Sequence, residues 1–313
     1  MGKLALNNSL QGINKIRTLN DYSSLVKHNL EPQEFNNLED GLYTPPKSEI
    51  FRNINKESDL FFEEMPGFCL GRQEARHEVL FGRLGSLALL GFEQFVAVKQ
   101  STQPKQLLGE LAMLQYLQDK TSFPTFRPVA YLANNSEGYL FTEFRPDIHV
   151  IGMFDWSHAK EDQKKAVIAK IAYGLGSLHA NFLYHGDASV RNLALNSRNQ
   201  FFIVDPELMI SGKDKLKELD YMNTKSSHNE YIIGQFLSPM IVDLSSFYRS
   251  LIPISYNKIT SSQQVFQFIK SYILPPYRDG LENSADIKNL ELINELFVRL
   301  EKTIIQKADQ KLL

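Results

Sequence analysis

Near residue 145 the apolar residues pass from mostly β-rich runs to mostly helical spacing, and that shift most limits what the chain can fold into. From residue 77 the apolar residues come in short β-rich runs: 77-HEVLFGRL-84 ending at Gly85, then 86-SLALLGF-92, a short turn and 94-QFVAVKQ-100. Runs of this kind, broken by glycine and short polar turns, predict an antiparallel meander. Ser101 or Thr102 as a cap and Pro104 then open a helix that places Leu107, Leu111, Leu114 and Leu117 on one face. Two further strands are expected at 128-PVAYLA-133 and 138-GYLFTEF-144.

Beyond 145-RPD-147 the spacing turns helical. Val167, Ile171, Leu175 and Leu178 form one stripe across 160–181, in spite of two glycines in that stretch. A small hairpin is expected from 193-LALN-196 and 201-FFIV-204, with polar residues at its base. Helices are clearest at 264–274 and 286–308, where Leu290, Ile293, Phe297, Leu300 and Ile304 recur at helical spacing. Strands followed by helices predict an α+β chain of two lobes. The expected division is an N-terminal extension over 1–65, a sheet lobe with one helix over 66–145, and a larger helical lobe over 146–313. The extension is Asn-rich and carries 41-GLYTPPK-47, with one short helix expected near 20-NDYSSLVKHNL-30.

Charge narrows the functional classes. With 34 basic against 36 acidic residues, the chain has no general attraction for nucleic acid or an anionic membrane, so any anionic ligand needs a local site. No run approaches the 18 or so apolar residues of a membrane span. The first residues, MGKLALNNSL, lack the apolar core of a signal peptide, and Leu6 stands where a myristoylation signal has Ser or Thr. The single cysteine, Cys69, reads as a small core residue and suits a reducing compartment. A cytoplasmic address is the expectation.

The residues that carry chemistry gather in a few places. Singly, each has a plain structural reading: Lys99 at a strand end, Glu110 on a helix surface, Asp187 and Asp205 as turn caps, Asn192 as a loop residue, His185 as a structural histidine. As a set, 95-FVAVK-99, 110-ELAMLQYL-117, 178-LHANFLYHGDASVRN-192 and the Asp205 that follows an apolar strand resemble the protein-kinase-like superfamily, in that family's order. The resemblance covers about 77–210 and implies a two-lobed kinase-like fold, a small antiparallel sheet lobe with a larger mainly helical one.

It also implies ATP and Mg²⁺ as cofactors and a hydroxyl-bearing small molecule or protein as acceptor. Lys99, oriented by Glu110, would hold α- and β-phosphate oxygens, and Asn192 and Asp205 would supply oxygen ligands to Mg²⁺. Asp187 would take or orient the proton of the attacking hydroxyl. Gly82 and Gly85 in 82-GRLG-85 would let a hairpin cover the phosphates, although a strand bulge also uses such glycines.

Three features depart from ordinary protein kinases: Gly186 in the middle of His185-Gly186-Asp187, Ser189 in place of a lysine, and 205-DPE-207 with no Phe-Gly. H-G-D and D-P-E are similar to aminoglycoside phosphotransferases and related small-metabolite kinases. The short stretch from Arg145 to about 161 instead resembles atypical RIO-like or lipopolysaccharide-kinase-like branches. Glu207 reads either as a further metal carboxylate or as a turn residue. Asp243, in 241-IVDLSSFYRSL-251, reads either as a brace for the catalytic loop or as a helix cap. The alternatives to phosphate transfer are a pseudokinase-type binding module, AMP transfer on the same fold, and a metal hydrolase using His185, Asp187 and Asp205.

Overall fold

The computed structural model describes residues 42–43, 60–64, 78–86, 93–102, 104–133, 138–145, 147–213, 226–256, 259 and 261–309. The expected helix near 20–30, most of the run 86–92, and Cys69 lie outside them. The chain is mixed α+β with antiparallel sheets, and it divides into two compact units, Met1–Pro146 and Asp147–Leu313.

Among the described residues of the first unit, β1 (Leu42–Tyr43), β2 (Leu60–Glu64), β3 (Glu78–Ser86), β4 (Glu93–Ser101), β5 (Pro128–Ala133) and β6 (Gly138–Glu143) form one antiparallel sheet, in the order β1-β5-β6-β4-β3-β2. Two short pieces of the 1–65 stretch thus supply its two edges. Runs of two and five residues are too brief for an alternating pattern to stand out in the sequence. The strand expected to stop at Gly85 runs on to Ser86, because Gly85 pairs with both Phe61 and Glu93 in an unbroken ladder.

Helix α1 (Pro104–Lys120) opens on its proline, whose missing N–H costs nothing in a first turn. Its leucines 107, 108, 111 and 114 pack with Tyr131 of β5 and Leu140 of β6. In β4 the period of two buries Val96 and Val98 on one face and sends Ala97 and Lys99 to the other.

The second unit is built on helices: α2 (Glu161–Ala180), α3 (Ser226–Ser255), α4 (Ser262–Phe268), α5 (Leu274–Ser284) and α6 (Leu290–Asp309). Their apolar faces, among them Ile171, Leu175, Phe236, Leu251, Tyr277, Leu296 and Leu300, close one core. The helical run expected to end at 274 continues through a π-turn over Ile269–Ile273, and Pro275 falls in the first turn of α5, where its missing N–H is tolerated. Gly176 in α2 explains why a helix would tolerate glycine there. A Cβ on Gly176 would lie 2.1 Å from the Tyr277 carbonyl oxygen, and one on Gly280 would lie 2.1 Å from that of Tyr173, so α2 and α5 touch backbone to backbone.

Short strands complete this unit. The β9 (Leu193–Asn196) and β10 (Phe201–Ile203) hairpin pairs with β7 (Ile148–Val150), and β8 (Leu183–Tyr184) pairs with β11 (Ile210–Ser211). The segment 185–209 therefore leaves from one strand of the β8–β11 ladder and returns on the other. That closure holds the polar residues of the loop together.

Candidate active site

In the first unit, the position of Glu110 decides its environment. It stands three residues after Leu107 and four before Leu114, on the apolar stripe of α1, and is 6% exposed. A carboxylate in such a place calls for a countercharge. Lys99 reaches it from β4, Nζ to Oε2 at 2.7 Å, with side-chain exposures of 12% and 7%. The arrangement holds an ammonium group in a fixed place at low exposure. Gly82 and Gly85 lie within β3, paired to Glu64 and Val96 and to Phe61 and Glu93 respectively.

In the second unit, the loop 185–192 is fixed from below by one buried carboxylate. Asp243 sits in the middle of α3 and is fully buried, which removes the helix-cap reading. Its Oδ2 accepts from the His185 backbone N–H at 2.6 Å and lies 3.0 Å from His179 Nε2, while Oδ1 accepts from the Gly186 N–H at 2.8 Å. A carboxylate can only accept, so His179 Nε2 carries a hydrogen. On the other edge of the ring, Nδ1 lies 2.6 Å from the Tyr277 hydroxyl. Burial, together with Tyr184 and Asp243 nearby, pushes the Tyr277 phenol far above its ordinary range, so it stays protonated and donates to Nδ1. Burial pushes the Tyr184 phenol up as well, with the Asp243 charge adding to the effect.

Gly186 adopts φ +79°, and a Cβ there would stand 2.3 Å from the Leu208 carbonyl oxygen. Glycine meets both demands at once, the left-handed backbone and the close approach. The loop thus packs directly on the turn that follows Asp205.

Asp187 and Asn192 meet through their side chains. Asn192 Nδ2 donates to Asp187 Oδ2 at 3.0 Å and to the Asp187 backbone oxygen at 3.1 Å. These bonds use both amide hydrogens, so what Asn192 can offer a further ligand is the oxygen Oδ1. Ser246 Oγ donates to the second Asp187 oxygen, Oδ1, at 3.2 Å.

The spacing between Asn192 and Asp205 follows from the hairpin. Leu193 pairs with Ile203, and the Val204 N–H donates to the Asn192 carbonyl at 3.2 Å, which sets Asn192 at the hairpin base and Asp205 one residue past it. Asp205 takes φ 51° and ψ 67°, a left-handed conformation that Asp tolerates better than most residues. A turn over Pro206–Leu208 follows at once, and the carboxylate oxygens of Asp205 and Glu207 lie within 4.8 Å of each other.

His185 belongs to the scaffold. Its Nε2 lies 3.1 Å from the Val204 carbonyl and 3.3 Å from that of Asn192, so this nitrogen is the donor and ties the loop to the hairpin base. The ring is fully buried, and its Nδ1 has no hydrogen-bond partner among the described residues.

Two contacts to the loop escape a reading of the sequence. Ser246 and Ser250 follow Asp243 at helical spacing, and Ser250 Oγ accepts from the Val190 N–H at 3.0 Å. The i, i+3, i+7 pattern of polar residues in an apolar helix is the signal that marks them. No protein-family model matches the chain, and no curated protein matches its sequence.

Proposed function

We propose that the chain is an ATP- and Mg²⁺-dependent phosphotransferase of two-lobed, protein-kinase-like fold that moves the γ-phosphate to a hydroxyl acceptor. One observation carries this reading. Asp187 and Asn192, five residues apart, are locked side chain to side chain on a loop whose backbone N–H groups end on the buried Asp243 carboxylate. A carboxylate held in place beside an amide oxygen meets the two needs of phosphoryl transfer, an acceptor for a hydroxyl proton and a ligand for a hard cation.

The donor set supports the cation. Asn192 Oδ1 and the close pair of Asp205 and Glu207 carboxylates are oxygen ligands, with no sulfur or imidazole among them, and hard divalent cations prefer that chemistry. Bound Mg-ATP would supply the transferable phosphoryl group and partial neutralisation of its charge. Lys99, steadied by Glu110, would hold phosphate oxygens as a fixed point charge, and Gly82 and Gly85 would let backbone approach them without a side chain in the way. Asp187 would accept the acceptor's proton as the new P–O bond forms and the bond from the γ-phosphorus to the bridging oxygen breaks, releasing ADP.

An Asp187→Asn variant tests this assignment. Transfer from labelled ATP should fall about 10³-fold, while Mg-ATP affinity by calorimetry stays within a few-fold of wild type. An Asp205→Asn variant should instead lose most of the Mg²⁺-dependent part of ATP binding. Wild-type transfer by Asp187→Asn would remove Asp187 from the chemistry.

A further inference from the structure

Helix α3 presents three polar side chains to the loop, one per turn: Asp243, Ser246 and Ser250, at i, i+3 and i+7. Each ends on a different part of the loop. Asp243 takes the N–H groups of His185 and Gly186, Ser246 donates to Asp187 Oδ1, and Ser250 takes the Val190 N–H. Ser250 Oγ also donates to the Ser246 carbonyl at 2.7 Å, which links the last two. On the far side of the loop, the Gly152 N–H donates to the Val190 carbonyl at 2.8 Å.

The Asp187 carboxylate is therefore tied at both oxygens, one from within its own loop and one from the helix beneath. The torsion of a carboxylate about its last bond is broad, so a single hydrogen bond leaves the group free to swing. A second donor on a rigid helix removes that freedom, and a catalytic group a fraction of an ångström out of place loses much of its effect. We propose that Ser246 is a positioning residue that fixes the rotation of the Asp187 carboxylate, with Ser250 pinning the backbone of Val190 behind it. The proposal rests on the phosphotransfer reading and adds to it a residue outside the motif. Ser246 donates its single hydroxyl hydrogen to Asp187, so its effect is exerted through Asp187.

The experiment compares wild type, Ser246→Ala and Ser246→Thr as full-length proteins. Alanine is the better helix former, so α3 is retained in the first variant. Ser246→Ala should lower kcat about tenfold with the KM for ATP within about twofold, since an interaction that orients the reacting group is lost while nucleotide binding is kept. Ser246→Thr keeps the hydroxyl and should return kcat to within about threefold of wild type. A Ser246→Ala protein with wild-type kcat, a defect confined to KM, or a Thr variant no better than Ala overturns the proposal. Should the wild-type protein transfer nothing, the phosphotransfer reading fails by itself. The positioning role is then judged by crystal structures of wild type and Ser246→Ala: an Asp187 carboxylate that swings away from Asn192 Nδ2 supports it, and one that stays overturns it.

Discussion

Asp243 is the residue on which most of the loop depends. It is fully buried and accepts from two backbone N–H groups and one imidazole N–H. Asp243→Asn keeps the shape but turns one acceptor into a donor facing those N–H groups. Each buried donor left without a partner costs about 1–3 kcal/mol, so the variant should lose about 3 kcal/mol by urea denaturation, and transfer should fall with it. At this scale the sequence was informative where spacing is local. Lys99 and Glu110 each read as surface residues when taken alone, and only the resemblance of 95-FVAVK-99 and 110-ELAMLQYL-117 to the kinase-like motifs paired them. The five-residue step from Asp187 to Asn192 was legible through the same resemblance. His179, Tyr277 and Ser246 were not, because their contacts join positions 59 to 98 residues apart that no local pattern links.

Among the elements, the contact of α2 with α5 sets the tightest packing in the second unit. Gly176→Ala and Gly280→Ala each place a methyl 2.1 Å from a carbonyl oxygen of the facing helix. Neither backbone yields easily, so each variant should lose about 2–3 kcal/mol in urea denaturation, in the range of overpacked cores. Because both act on one contact, the double variant should lose less than the sum. Alanine normally stabilises a helix interior, so a gain from either substitution would show that the helices separate at little cost. The long helix at 161–180 was foreseen from its stripe in spite of its glycines; what the glycines do became clear only with the partner helix in place. The helix expected over 264–274 is followed without a gap by α5, with a π-turn over Ile269–Ile273 and Pro275 in the first turn of α5. The edge strands β1 and β2 were hidden by their length. The β9–β10 hairpin was legible, and with it the separation of Asn192 from Asp205.

For the molecule as a whole, the order of periods along the chain foretold the α+β class, since antiparallel strands and amphipathic helices each leave a local signature. Among the described residues no helix is long and apolar enough to cross a membrane. Under the proposed phosphotransfer, the near-balance of charge would leave a polyanionic nucleotide to be held by fixed groups rather than by the general field, and the half-buried Lys99 ammonium would suit that task. Lys99→Met should accordingly weaken ATP binding at least tenfold in calorimetry, a loss of about 1.4 kcal/mol or more.

The central claim is best tested by the mass of the products formed with Mg-ATP. The protein would be incubated with hydroxyl-bearing metabolites, with protein acceptors and alone, while ADP release is followed in parallel. Phosphotransfer predicts an acceptor that gains one phosphoryl group for each ADP released, and no such gain with Asp187→Asn. An adenylyl gain, or intact Mg-ATP binding with no product across these acceptors, would contradict it.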